Sequence, residues 1–164
     1  LLDPSRGVDL WNRVMEAGKA FGIAPTGPCD IRRIEAGILN YGIDMTLDTN
    51  PYELGLGRLV DLGKSADFVG REALGRISKG PLKKKLVGLE IEGAKMDLNM
   101  TRTPVKSGGD VTSAVYSPRL KKNIGYALVP AEYGAPGTRL EVAGRAATVV
   151  PMPFIDPQKA IAKS

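Results

Sequence analysis

Downstream of Pro81 the chain reads as a series of short β-rich runs: LVGLEIEG, RTPVKSGGD, VTSAVYS, NIGYALV, TRLEVAG and RAATVVP, separated by Gly, Pro, Asn and Ser turns. None is long enough to bury a face alone, so they must pair with one another. Six short strands in about 70 residues point to a small antiparallel barrel or sandwich. SGGD (107–110) and VAGR (142–145) have the composition of hairpin connections.

Upstream the period changes. The opening LLDPSRGVDL starts on two leucines, in the manner of an interrupted apolar strand. In VDLWNRVMEAGKAFG, Val8, Leu10, Trp11, Val14 and Met15 recur at helical spacing as one apolar stripe; Ser5 and Asp3 are candidate caps and Gly18 or Gly22 a candidate stop. IAPTGPCD is too rich in Pro and Gly for a helix interior and reads as an extended connection. Asp30 is then a good N-cap for a helix that sets Ile31, Ile34, Ile38 and Leu39 on one face and ends at Gly42. In residues 44–64 a turn at Asn50-Pro51 precedes a strand-like LGLGRLVDL, whose Gly55 and Gly57 imply a bulge or a close backbone approach. DFVGREALGRISKG reads as a short helix from near Gly70 to before Gly80. The fold class expected is α+β, with residues 1–80 as one unit and residues 84–164 as an antiparallel β unit.

Composition removes whole classes of chemistry. There is no histidine and one cysteine, Cys29, so a His/Cys zinc site, a Ser-His-Asp triad and an internal disulfide framework are all excluded within this chain. A carboxylate-only metal cage lacks any spaced motif, and a reducing cytoplasm is the simplest setting for a lone thiol. Lys and Arg number 23 against 18 Asp and Glu, a net charge of +5. That excess suits an anionic ligand such as a polycarboxylate; it is too small and too dispersed for a nucleic-acid face. No apolar run has the length of a membrane helix.

Four polar stretches could carry function. In Asp30-Ile-Arg-Arg-Ile-Glu-Ala-Gly, Arg32 and Arg33 sit near a helix start, slightly against the helix dipole. A guanidinium fork can bind carbonyl, ring-nitrogen or carboxylate acceptors, but Arg32 and Glu35, three apart, equally fit a structural ion pair. Thr49-Asn-Pro-Tyr-Glu-Leu-Gly-Leu-Gly is ordinary turn chemistry in which Tyr52 and Glu53 could line a cleft. Tyr116-Ser-Pro-Arg-Leu-Lys-Lys-Asn is a polar turn between strands, and Val150-Pro-Met-Pro-Phe a rigid apolar exit from the last one.

These four stretches, in this order, with LWNRVMEAG ahead of them and DFVGREAL and NIGYALVPAEYGAPGT between them, resemble the carboxy-terminal half of the glycine-cleavage T-protein family, the tetrahydrofolate-dependent one-carbon transferases. The resemblance implies the trailing part of a folate-binding α/β region followed by a closing Greek-key β-barrel. It further implies an essential aspartate in an amino-terminal half, no catalytic residue within this segment, and inactivity of the segment alone. Typical aminomethyltransferases read Leu-Arg-Leu-Glu-Ala-Gly where this chain has Arg32-Arg33-Ile34-Glu35-Ala36-Gly37. The doubled arginine, NPYELGLGRLVDL and the terminal PFIDPQKAIA are more similar to the dimethylsulfoniopropionate demethylase branch. The expected reaction is then methyl transfer from a small donor to tetrahydrofolate. Aminomethyl transfer with a lipoyl carrier protein, or folate binding without catalysis, are the alternatives. By this resemblance Arg33 is a folate contact, Arg32 a second one, and Tyr52 and Tyr116 line the channel.

Overall fold

The computed structural model describes residues 3–158 and 160. The Leu1-Leu2 start and the end of the PFIDPQKAIA segment fall outside them. The described residues form three α-helices, α1 (Gly7–Gly18), α2 (Asp30–Glu35) and α3 (Arg71–Lys79), followed by six strands. The strands are β1 (Lys84–Ile91), β2 (Thr103–Pro104), β3 (Asp110–Ser117), β4 (Lys122–Pro130), β5 (Arg139–Val142) and β6 (Arg145–Val150).

The strands form one antiparallel sheet in the order β2-β3-β4-β1-β6-β5, with the first strand in chain order near its centre. The sheet curls until its two edges meet. Val105, just past β2, bridges Val142 of β5, and the Lys106 N–H donates to the Glu141 carbonyl at 3.0 Å. Closure removes the open edges that would otherwise template association. Leu89, Val111, Ala114, Val129, Val142 and Val149 fill the inside. The outside of β1, β3 and β4 carries a second apolar layer, in which Leu86, Val115, Ile124, Tyr126 and Leu128 meet Ile34 of α2, Leu54 and Phe154. A strand covered on both faces has no polar side, which is why NIGYALV reads as an unbroken apolar run. The hairpins fall where expected. In the turn between β5 and β6, Ala143 and Gly144 both have positive φ, 48° and 75°, as a two-residue type I′ loop requires.

Three local expectations are corrected. The helix at Asp30 does not run to Gly42. Gly37, at φ +70°, ends it, with the Ile38 N–H on the Arg33 carbonyl at 2.9 Å and the Gly37 N–H on the Ile34 carbonyl at 3.1 Å. This is a Schellman stop, and it leaves Ile38 exposed although the apolar periodicity continues through it. Asp30 is the first residue of the helix rather than its cap; Cys29 takes the cap position without a side-chain bond. The strand-like LGLGRLVDL forms no strand: residues 57–59 make a short 3₁₀ turn. Gly57 is there because the Tyr52 ring covers it, 2.9 Å from where a Cβ would stand.

The helix expected from VDLWNRVMEAG forms, and its apolar stripe faces outward. Trp11 is 55% exposed and Val8 73%. No helix among the described residues is long and apolar enough to cross a membrane.

Candidate functional site

Helix α2 lies against the outer face of β3 and β4, and a buried polar cluster joins them. Its centre is Asp44, fully buried in the turn after α2. A carboxylate taken wholly out of water must be compensated by donors. Here Oδ2 accepts from Arg33 Nη1 at 2.8 Å and the Asn40 N–H at 2.9 Å. Oδ1 accepts from the hydroxyls of Thr112 at 2.7 Å and Ser113 at 2.6 Å. Consecutive strand residues normally point to opposite faces. A bulge in β3 between Val111 and Ser113 breaks that alternation and turns both hydroxyls onto the one carboxylate.

Arg33 is spent mainly on this cluster. Its Nε donates to Asp30 at 2.7 Å, Nη1 to Asp44 and more weakly to the Ile38 carbonyl at 3.4 Å, and Nη2 to Ser113 at 3.0 Å. One Nη2 hydrogen is left over. Two further contacts hold the helix end. The Tyr126 hydroxyl donates to the carbonyls of Ile34 at 2.8 Å and Arg33 at 3.2 Å. Burial raises the Tyr126 pKa, the negative charge of Asp44 adds to this, and Arg33 opposes it. Glu35, also buried, accepts from the Ser117 hydroxyl. Among the described residues no buried side-chain nitrogen or oxygen lacks a partner.

On the solvent side of this cluster a groove of about 650 Å³ runs between residues 27–30, the outward side of α2 at Arg32, Arg33 and Ala36, and Ile38 with Asn40. Arg32 lies exposed along it, with Nη2 tied to Thr26 Oγ1 at 2.8 Å and the Gly27 carbonyl at 3.0 Å. Arg32 and Glu35 do not form the ion pair their spacing allowed, because Glu35 turns inward to Ser117. The Cys29 thiol in the same groove sits below its ordinary pKa, chiefly because the Arg32 backbone N–H is directed at the sulfur, with the Arg32 side chain contributing. Among the described residues no group of acidic, His or Cys side chains is placed to hold a metal.

The four residues singled out from sequence therefore separate. Arg32 and Arg33 share the groove. Tyr52 packs on Gly57, and Tyr116 lines a different cleft with Glu90 and Asn123, under Lys95 Nζ at 5.0 Å from the ring centre. Neither tyrosine lines the groove.

Two family models divide the chain at the start of the barrel. Residues 1–64 match the GCVT N-terminal domain, and residues 84–156 match the glycine cleavage T-protein C-terminal barrel domain. The chain belongs to the glycine cleavage T-protein family. The aminomethyltransferase of Synechococcus sp. strain CC9902 is 42% identical over 167 residues, covering 94% of this chain and 43% of the relative. That of Symbiobacterium thermophilum is 42% identical over 157 residues, 88% of this chain and 41% of the relative. The crystal structure of glycine cleavage system aminomethyltransferase T from Bartonella henselae superposes with a TM-score of 0.67 at 29% identity, over 77% of this chain and 38% of that one. The chain thus spans about two fifths of the length of the T-proteins it matches.

Sequence reasoning missed Asp44, Thr112, Ser113, Ser117 and Tyr126. One signal was present: VTSAVYS sets two hydroxyl residues side by side where a strand should alternate.

Proposed function

We propose that this chain supplies part of the tetrahydrofolate site of an aminomethyltransferase, and that the Arg32–Asn40 groove takes part of the folate. The observation that carries this reading is one groove lined both by the apolar residues Pro28, Ala36 and Ile38 and by Arg32, Arg33 and Asn40. Folate has matching parts: an aromatic body, ring and amide acceptors, and a carboxylate-bearing tail. The aminomethyltransferase names of the relatives support aminomethyl transfer, with a lipoyl carrier protein as donor, over the sulfonium methyl donor that the sequence alone favoured.

The residues of this chain bind and orient. Pro28 and Ile38 give an apolar surface for an aromatic ring. The remaining Arg33 Nη2 hydrogen, held in a fixed direction by Asp44 and Ser113, offers one directed bond to a neutral acceptor. Alignment of donor and acceptor is itself a large part of the rate for a transfer between two bound groups. When bound, the folate would supply the nitrogens N5, in its pterin ring, and N10, beside it, that receive the one-carbon unit.

Filling the groove tests this. Ala36 lies exposed on its wall, so Ala36→Trp blocks it without touching the buried cluster. In the full-length protein the variant is expected to keep its melting temperature and lose tetrahydrofolate binding by titration calorimetry. Unchanged affinity would place the folate elsewhere.

A further inference from the structure

Two arginines face one groove, and the structure gives them different electrostatic standing. Arg33 is bonded to two carboxylates, Asp30 at 2.7 Å and Asp44 at 2.8 Å, so by formal charge its cluster carries more negative than positive charge. An anion placed against the leftover Arg33 hydrogen would meet those carboxylates at close range. The usual two-pronged grip on a carboxylate needs two parallel N–H groups, and Arg33 has only one to offer. Asp30, which also lines the groove, is already held by Arg33 Nε.

Arg32 is the converse case. It has no carboxylate partner among the described residues, and its two bonds, to Thr26 Oγ1 and the Gly27 carbonyl, both come from Nη2 and are to neutral acceptors. They anchor one corner of the guanidinium; the Cys29 thiol is the other side chain that interacts with it, and no carboxylate compensates its charge. A guanidinium anchored on one side loses less side-chain freedom when it takes a ligand on the other.

We infer that Arg32, and not Arg33, is the anion-recognition residue of this groove: it takes a ligand carboxylate on its Nε–Nη1 edge, while Arg33 binds a neutral acceptor. The inference rests on the folate reading and assigns the free carboxylates of the folate tail to Arg32. Part of the ligand's affinity is therefore charge-dependent, and that part resides in a side chain whose removal leaves the buried cluster intact.

The test compares 5-formyltetrahydrofolate with its glutamate dimethyl ester, by titration calorimetry on the full-length wild-type protein, Arg32→Gln and Arg32→Lys. Wild type is expected to prefer the diacid by about tenfold, the scale of one charge-assisted bond. Arg32→Gln should bind both ligands as wild type binds the ester, and Arg32→Lys should recover part of the preference. Raising ionic strength from about 0.05 to about 0.3 M should weaken diacid binding to wild type and leave Arg32→Gln little changed. A preference for the diacid that survives in Arg32→Gln overturns the assignment and leaves the folate reading standing. Failure of both ligands to bind wild type overturns the folate reading and the assignment with it.

Discussion

Arg33 and Asp44 form a buried ion pair, 2.8 Å from Nη1 to Oδ2, and both members bond Ser113 of the bulged strand of the barrel. Asp44 is wholly out of water and the Arg33 side chain is 13% exposed. The bonds from Arg33 and Asp44 to Ser113, and from Asp44 to Thr112, tie the two family-matched regions together, while Arg33 also lines the groove. The same arginine is thus both a structural tie and a groove wall, and the first role limits the second.

Removing the carboxylate should show its structural weight. Asp44→Ala leaves a guanidinium, two hydroxyls and an N–H without their shared acceptor. Loss of about 3–5 kcal/mol is expected from urea unfolding, as for other broken buried pairs. A loss below about 1 kcal/mol would contradict the cluster.

Gly37 and Gly75 should respond in opposite directions to alanine. At Gly37 the left-handed backbone, φ +70°, and a Pro153 Cβ 3.1 Å from the new methyl both oppose a side chain, and a loss of about 1–2 kcal/mol is expected. Gly75 lies inside the third helix with nothing within 4 Å of a new Cβ, so Gly75→Ala should gain about 0.5–1 kcal/mol. Melting temperatures of the two variants check both signs.

Tyr126 makes stability fall in alkali. Its pKa is raised by burial above the ordinary value of 10.0, so the folded state keeps a proton that the unfolded state gives up. Below pH about 10 both states hold the proton and the group adds no pH dependence. Above it the unfolded state loses the proton first, and the contribution of this residue declines as pH rises towards the folded pKa. Tyr126→Phe should cost about 1 kcal/mol near neutral pH, through its lost bonds to the α2 carbonyls. It should also decline less steeply than wild type above pH about 10 when unfolding is followed against pH.

The barrel was legible because its signals are local. Six apolar runs, SGGD and VAGR each carry their own turn chemistry, and their pairing follows from closure. The polar site was not, because it depends on contacts distant along the chain. Asp44 meets Ser113 across 69 positions and Glu35 meets Ser117 across 82. Asp30, Arg33 and Glu35 look like a solvated helix start until the strand against them is known. The periodicity of Ile34 and Ile38 misled at the helix end, since one left-handed glycine outweighs one apolar match. The outward stripe of Val8, Trp11 and Val14 shows the same limit: periodicity identified the helix but not what covers it.

Aminomethyl transfer, the reaction proposed for this T-protein, is read most directly from its product. The direct measurement is the folate product formed by the full-length protein. It is offered tetrahydrofolate with aminomethyl-loaded lipoyl carrier in one reaction and with dimethylsulfoniopropionate in another. 5,10-Methylenetetrahydrofolate and ammonia are expected from the carrier reaction, and no 5-methyltetrahydrofolate from the sulfonium. Methyl product from the sulfonium, with none from the carrier, would contradict aminomethyl transfer.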